Sequence, residues 1–441
     1  MFNSLIKLIQ NKTNILYENS LILQNLDRLI FLCIIAVLLL STIMPSDVIG
    51  FVALLCTFLT IVRVCTKEGD KFEPNAFELW LFAYFMVIII SLAGSTLFAL
   101  SLKGFLKTIT YLGFYISVVH YLKYNKDKIP YILAVIGVCV GSQSIVGIMQ
   151  NFAHVEAIST WQDVSYLNPE QIMTRVYGTL QPLNPNLLGG YFVAGIPSLF
   201  GLGAVFFTVR NYKSAVISLF FGLLSTIVLF LTGCRGAYIA CFVIYLGMFI
   251  ICAKFLWHKY KELFAAIVSA GIVAISLAII FVGSLRARIF SIFAMRQDSS
   301  NSFRFNVYQS SLQMFKDNWL LGIGVGNKNF REIYGLYMRT GFDALSAYNI
   351  FLETAVESGI FALIAFLGFI FVAVKDGIKI ILKSSNIKNV IYVSTAVISI
   401  LALMVHGLVD TVFFRPQVQF IFWTMVAVIS CCHLDEKAAQ K

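Results

Sequence analysis

Arg235 lies in Leu231-Thr232-Gly233-Cys234-Arg235-Gly236-Ala237-Tyr238, a short break between two apolar runs. Guanidinium is a planar, permanently charged fork that suits phosphate oxygens, and Gly233 and Gly236 let the backbone turn tightly beside a ligand. An arginine at such a break also serves as a topology or interface charge, and position alone gives the two readings equal weight. Arg304 stands in Ser302-Phe303-Arg304-Phe305-Asn306, at the head of a stretch to Phe315 with helical amphipathic spacing. Downstream, Gly322-Ile323-Gly324-Val325-Gly326 resembles a phosphate loop, but no strand precedes it and a plain loop turn is the better reading.

Asn349, Glu353 and Glu357 follow one another at i, i+4 spacing, so they share one helix face as an apolar run begins. Carboxylates there should face a bundle interior, either paired with arginines or lining a polar site. His406 and Asp410 repeat the i, i+4 spacing. The histidine could titrate near neutral pH, although a satisfied structural pair is the plainer reading.

The elements that position these residues follow from composition. The chain of 441 residues is 59% hydrophobic and only 12% charged, with a mean hydropathy of +0.84. A soluble chain would carry about twice that charge fraction. Apolar runs near 20 residues recur from Leu29 to Ser430, each long enough to cross a bilayer core of about 30 Å. Backbone in lipid must satisfy its own hydrogen bonds, which helices do within each segment. The sequence therefore predicts an all-α polytopic membrane protein of about twelve transmembrane helices with two structured outer loops.

The predicted spans are 29–45, 47–65, 76–98, 103–122, 130–152, 187–209, 214–232, 235–254, 262–284, 347–374, 389–412 and 416–432. They group as an interfacial N-terminal segment at 1–28, helices at 29–152, an outer loop at 153–186, helices at 187–284, a large outer loop at 285–346, helices at 347–432 and a tail at 433–441. The N-terminal segment mixes Phe2, Leu5, Ile6 and Ile9 with Lys7 and Lys12, which suits an amphipathic helix on the membrane surface rather than a cleavable leader. Lys and Arg clusters at 63–71, 123–128, 254–261 and 375–388 place those loops, and both termini, in the cytoplasm.

The net charge of +11 is scattered in these short clusters, so it reads as topology and not as a nucleic-acid surface. None of the nine cysteines shows zinc-site spacing, and we expect no structural metal, no disulfide framework and no cofactor. The two outer loops carry too many Trp, Phe, Tyr and Leu residues for disorder and read as folded caps over the outer mouth.

At these residues the sequence resembles the O-antigen ligase and polymerase superfamily. The resemblance rests on Arg235-Gly236-Ala237, on Arg304 followed by Trp319-Leu320-Leu321-Gly322-Ile323-Gly324, on Glu357-Ser358-Gly359, and on His406 with Asp410, and it spans roughly residues 140 to 430. It implies a bacterial inner-membrane protein, with bilayer lipid around it. The implied activity is a metal-independent, inverting transfer of glycan from a polyprenyl-diphosphate carrier to a glycan or lipid acceptor at the outer face. Within the superfamily, Trp161-Gln162-Asp163, Arg175-Val176-Tyr177-Gly178, Asn184-Pro185-Asn186, Ala344-Leu345-Ser346-Ala347-Tyr348 and His406-Gly407-Leu408-Val409-Asp410 look like the branch named for inorganic-carbon (bicarbonate) transport.

The resemblance implies that Arg235 and Arg304 bind the diphosphate. Arg175, Asn349, Trp161, His406 and Asp410 are expected to complete substrate binding. One position departs from the pattern. Ligases carry a His-Asn pair nine residues before the glutamate of the Glu-x-Gly turn, and here Tyr348 stands in the histidine's place, with Asn349 kept. A tyrosine of ordinary pKa near 10 is a poor base at neutral pH. Tyr348 and Glu353 are the candidates for activating the acceptor, and proton removal by the diphosphate itself is a third route. Transport, and a noncatalytic role in glycan assembly, remain the alternatives to transfer. Polar residues gather toward the outer side of the spans, which favours an outer-face enzyme over a through-channel.

Overall fold

The computed structural model describes residues 2–67, 74–153, 175–293 and 299–439. Among them there is no strand, and the chain is a bundle of long apolar helices: an all-α polytopic membrane protein. The amphipathic helix α1 (Phe2–Asn19) leads through α2 (Leu21–Gln24) into α3 (Leu26–Leu40), α4 (Ser46–Thr66), α5 (Ala76–Ala93), α6 (Phe98–Tyr124) and α7 (Ile129–Phe152). After the connection from 153 to 184 come α8 (Pro185–Thr208), α9 (Tyr212–Leu231) and the long α10 (Arg235–Phe281). Three short elements follow, α11 (Gly283–Phe290), α12 (Ser299–Asp317) and α13 (Asn327–Tyr334), then α14 (Ile350–Lys383), α15 (Ile387–His406) and α16 (Pro416–Ala439).

Among the described residues, ten segments are long and apolar enough to cross a membrane, against the twelve predicted. Two come from α10, which breaks at Tyr260 (φ −133°, ψ 36°) into 235–257 and 260–281. The two predicted spans that fall short do so for different reasons. The helix at the first span is only 15 residues, ending at Leu40, which at about 1.5 Å per residue reaches roughly 22 Å. The 27-residue α6 is long enough but carries Lys103, Lys107, His120 and Lys123. At the other end, α16 runs on as helix through the predicted tail, where Asp435 pairs with Lys126 and accepts from Asn389 Nδ2 at 3.0 Å.

The centre is the packing of α8, α15 and α16, whose faces are buried almost throughout, with α7, α9 and the first half of α10 around them. The second group, α5 with α14, packs against this core. Helix α1 lies along α4, where Gln10 Nε2 and Thr13 Oγ1 donate to the carbonyls of Val64 (2.9 Å) and Cys65 (2.7 Å). Those bonds dock it on the C-terminal end of α4.

Two irregular segments matter for function. Of the 153–186 loop, residues 154–174, and with them Trp161, lie outside the described residues. Its last part runs extended into the bundle, with Val176 and Leu180 buried. Gln150 and Gln143, two turns apart on one face of α7, satisfy its backbone: Oε1 of Gln150 accepts from Tyr177 N and Gly178 N, and Oε1 of Gln143 accepts from Thr179 N. The described residues of the 285–346 loop form α11, which packs on the main core through Leu285 and Ile289, and α12 and α13 around a small core of Val307, Met314, Phe330 and Tyr334.

Candidate functional site

Arg235 occupies the first turn of α10. Thr232, Gly233 and Cys234 form the turn before it, with Gly233 at φ +63°, a conformation glycine adopts without cost. Gly236 must be small because the turn after α15 packs on it: a Cβ there would sit 2.7 Å from Val409 Cγ2 and 3.6 Å from His406 Nε2. The guanidinium is buried (7% exposed) and its Nη1 donates to Ser291, to the carbonyl at 3.1 Å and the hydroxyl at 3.2 Å. The segment between α11 and α12 therefore aims Arg235.

Arg304 comes from α12, which presents Asn301, Arg304, Phe305 and Tyr308 at i, i+3, i+4, i+7 on one face. Those four residues, with Arg235, Gly236, Ile239, Ile292 and Val409, line one cavity of about 180 Å³. Arg304 Nη2 stands 3.8 Å from Asp410 Oδ2, Nη1 donates to Ser300 Oγ at 3.3 Å, and the guanidinium carbon lies 5.9 Å from the centre of the Tyr348 ring. The Asp410 contact is too long for a hydrogen bond.

Asp410 is a hub. Its Oδ1 accepts from Thr411 N (2.7 Å) and Val412 N (3.1 Å), and its Oδ2 accepts from Asn186 Nδ2 at 3.1 Å. Asn186 in turn accepts from Arg175 Nη2, and Arg175 Nε donates to Thr232 O at 2.7 Å. Burial first, and then the nearby Arg288, pull Arg175 down to about 10, so it stays charged at neutral pH. Arg288 Nε donates to Gly233 O at 2.9 Å. Four arginines thus meet around the 232–236 turn, a setting that favours an anion at the open side of Arg235 and Arg304.

The remaining expected site residues are placed behind this wall. α15 ends at His406, so Asp410 lies in the following turn and not on the same helix; His406 is buried with Nε2 3.6 Å from Cys234 Sγ. Asn349 caps α14, its Oδ1 accepting from Phe351 N and Leu352 N at 2.9 Å, and its Nδ2 reaches Leu408 O at 3.0 Å. Tyr348, at φ +51°, lies behind Arg304 and is not among the cavity-lining residues; its carbonyl accepts from Tyr308 Oη at 3.2 Å. Burial pushes its phenol up to about 12, Asp410 adding to the rise and Arg304 opposing it. Glu353 is 1% exposed, away from the cavity lining, with Oε2 accepting from Ala347 N at 3.0 Å and Oε1 from Asn327 Nδ2 at 3.4 Å.

The glycine run is not laid out as a phosphate cradle. The amides of Gly324 and Gly326 donate to Glu357, to its carbonyl (2.8 Å) and its Oε1 (2.9 Å), while Ile323 N bonds Val356 O at 3.0 Å. Here α14 is broken at Gly359 (φ +78°), and Ile360 N bonds Trp319 O at 2.9 Å. The loop thus supplies partners to an interrupted helix, which is the condition for such a break at membrane depth.

Residues 220–367 match the family model described as O-antigen ligase, and no curated protein matches the chain. The matched segment contains Arg235, the cavity face of α12, the glycine run and the break in α14. That segment of the chain is similar to the O-antigen ligase family. Within the ligase-like region, residues not singled out from sequence also serve the site: Ser291 aims Arg235, Arg288 braces the turn, and Asn301 and Tyr308 complete the α12 face. For Asn301 and Tyr308 the signal was present, as their spacing from Arg304. For Ser291 and Arg288 it was not, because their roles depend on how α11 folds back. The match carries no transporter description.

Proposed function

We propose that the protein transfers a glycan from a polyprenyl-diphosphate carrier to a hydroxyl acceptor at the outer membrane face, with inversion at the anomeric carbon. The observation that carries this is the convergence of Arg235 and Arg304, from different parts of the ligase-like segment, on one cavity. Their charges would neutralise the diphosphate as it leaves, the role a metal ion plays elsewhere. The acceptor oxygen bonds to the anomeric carbon while the bond from that carbon to the phosphate oxygen breaks. Tyr348, with its phenol held protonated, is a support for Arg304 rather than a base. The acceptor proton is therefore assigned to an oxygen of the departing diphosphate, with Glu353 left as a buried structural carboxyl. The lysine and arginine clusters support a cavity at the outer face with both termini in the cytoplasm, and the proposed reaction belongs to a bacterial inner membrane.

The test is transfer by the purified protein in lipid nanodiscs from a polyprenyl-diphosphate glycan to an acceptor, beside bicarbonate uptake in proteoliposomes. Transfer that is lost in Arg235→Ala and Arg304→Ala supports the reading. Protein-dependent bicarbonate uptake with no transfer would replace it with the transport alternative.

A further inference from the structure

The two halves of α10 meet close to the break at Tyr260 and diverge from there. Phe264 of the second half meets Phe249 and Trp257 of the first, with ring centres 5.4 and 6.0 Å apart. Beyond Phe264, no side chain from 265 to 281 is buried, and the chain returns to the bundle only in α11, where Leu285 and Ile289 pack on the core. A cleft open to lipid therefore separates the halves, closed below by Phe264 and above by α11.

The first half shows which of its faces borders that cleft. Ile239 lines the arginine cavity and Phe249 touches Phe264, and between them Phe242 and Leu246 continue the same face at helical spacing. All four are aliphatic or aromatic, and Ile239, Phe242, Leu246 and Phe249 are 38%, 67%, 43% and 43% exposed. From Ile239 to Phe249 is ten residues, about 15 Å of helix, which is roughly the depth of one leaflet of a 30 Å core. One end of this apolar stripe thus opens into the cavity that holds Arg235 and Arg304.

We infer that this cleft is the seat of the isoprenoid chain of the lipid diphosphate, entering sideways from the outer leaflet while its diphosphate meets the two arginines. The continuity through Ile239 selects that occupant: a ligand anionic at the arginine end and hydrocarbon along the stripe. The inference rests on the proposed diphosphate site, and its test separates the two.

Binding of inorganic pyrophosphate and of farnesyl diphosphate is measured on the full chain in nanodiscs, for wild type, for Leu246→Trp, which fills the cleft, and for Leu223→Trp on the lipid-exposed face of α9 as a control. Each buried methylene adds about fourfold in affinity, so the farnesyl chain should bind at least about tenfold more tightly than pyrophosphate. Leu246→Trp should remove most of that gain with pyrophosphate binding unchanged, and Leu223→Trp should leave both intact. A gain equal in all three proteins would overturn the cleft and leave the arginine site standing. If wild type binds neither ligand, both inferences fall. Pyrophosphate binding lost in Leu246→Trp would mean that the substitution acts on the cavity itself and would also overturn the cleft.

Discussion

Arg304→Ala tests whether the α12 arginine acts on substrate or merely holds the fold. In the absence of ligand the guanidinium has one near-ionic contact, with Asp410 at 3.8 Å, one hydrogen bond to Ser300 and the Tyr348 ring beneath it. Asp410 keeps three other donors, from Asn186, Thr411 and Val412, so removing Arg304 leaves no bare buried carboxylate. The stability cost should then be near that of one hydrogen bond, about 1 kcal/mol, and not the roughly 3–5 kcal/mol of a broken buried pair. A charge-assisted contact to the diphosphate is worth about 1.5–3 kcal/mol, so the transfer rate should fall about ten- to a hundredfold. Arg304→Lys keeps the charge but not the two-pronged geometry and should fall in between. Single-turnover transfer at saturating lipid carrier, with thermal unfolding of the same preparations, reads both quantities. Transfer within about twofold of wild type would refute the reasoning, as would a loss fully accounted for by unfolding.

Tyr348→Phe should retain transfer within about threefold, whereas Tyr348→Ala, which removes the ring under Arg304, should lose more, roughly tenfold. Because burial raises the phenol to about 12, it stays protonated from pH 6 to 9, and the pH–rate profile of Tyr348→Phe should overlay that of wild type there. The sign is that of a raised group: any stability linked to this proton is complete below pH 10 and lost as pH rises through about 12. Gly359→Ala should destabilise by at least about 1–3 kcal/mol, since its φ is positive and the new Cβ would lie 2.1 Å from Leu320 O; folded yield in detergent measures it. In intact cells, an impermeant thiol reagent should label a cysteine placed at Asn327 but not one at Lys126, and the opposite pattern would invert the topology.

Composition and run length made the all-α membrane architecture legible, because a dozen apolar segments in one chain have no soluble solution. At α6 the helix runs from 98 to 124 and contains the expected span, but its lysines and histidine make it less apolar than its neighbours. Of the candidate site, Arg235 stood out because a guanidinium beside glycines at the end of an apolar run is costly without a purpose, and Arg304 because it heads an amphipathic stretch. What the pattern could not supply was depth. Tyr348 and Glu353 sit in the right stretch of sequence, yet a left-handed backbone at Tyr348 and the bond from Ala347 N turn them away from the cavity wall. The glycine run had a phosphate-loop look, and only the break at Gly359 shows where its amides are needed.

The central claim is that Arg235 and Arg304 grip one diphosphate. An experimental structure of the protein in nanodiscs with a non-hydrolysable polyprenyl-diphosphate analogue tests it most directly. The account predicts both guanidinium groups within about 3 Å of oxygens of the same diphosphate, in the cavity bounded by Gly236, Tyr308 and Val409. A diphosphate bound elsewhere, with Arg235 still on Ser291 and Arg304 still beside Asp410, would contradict it.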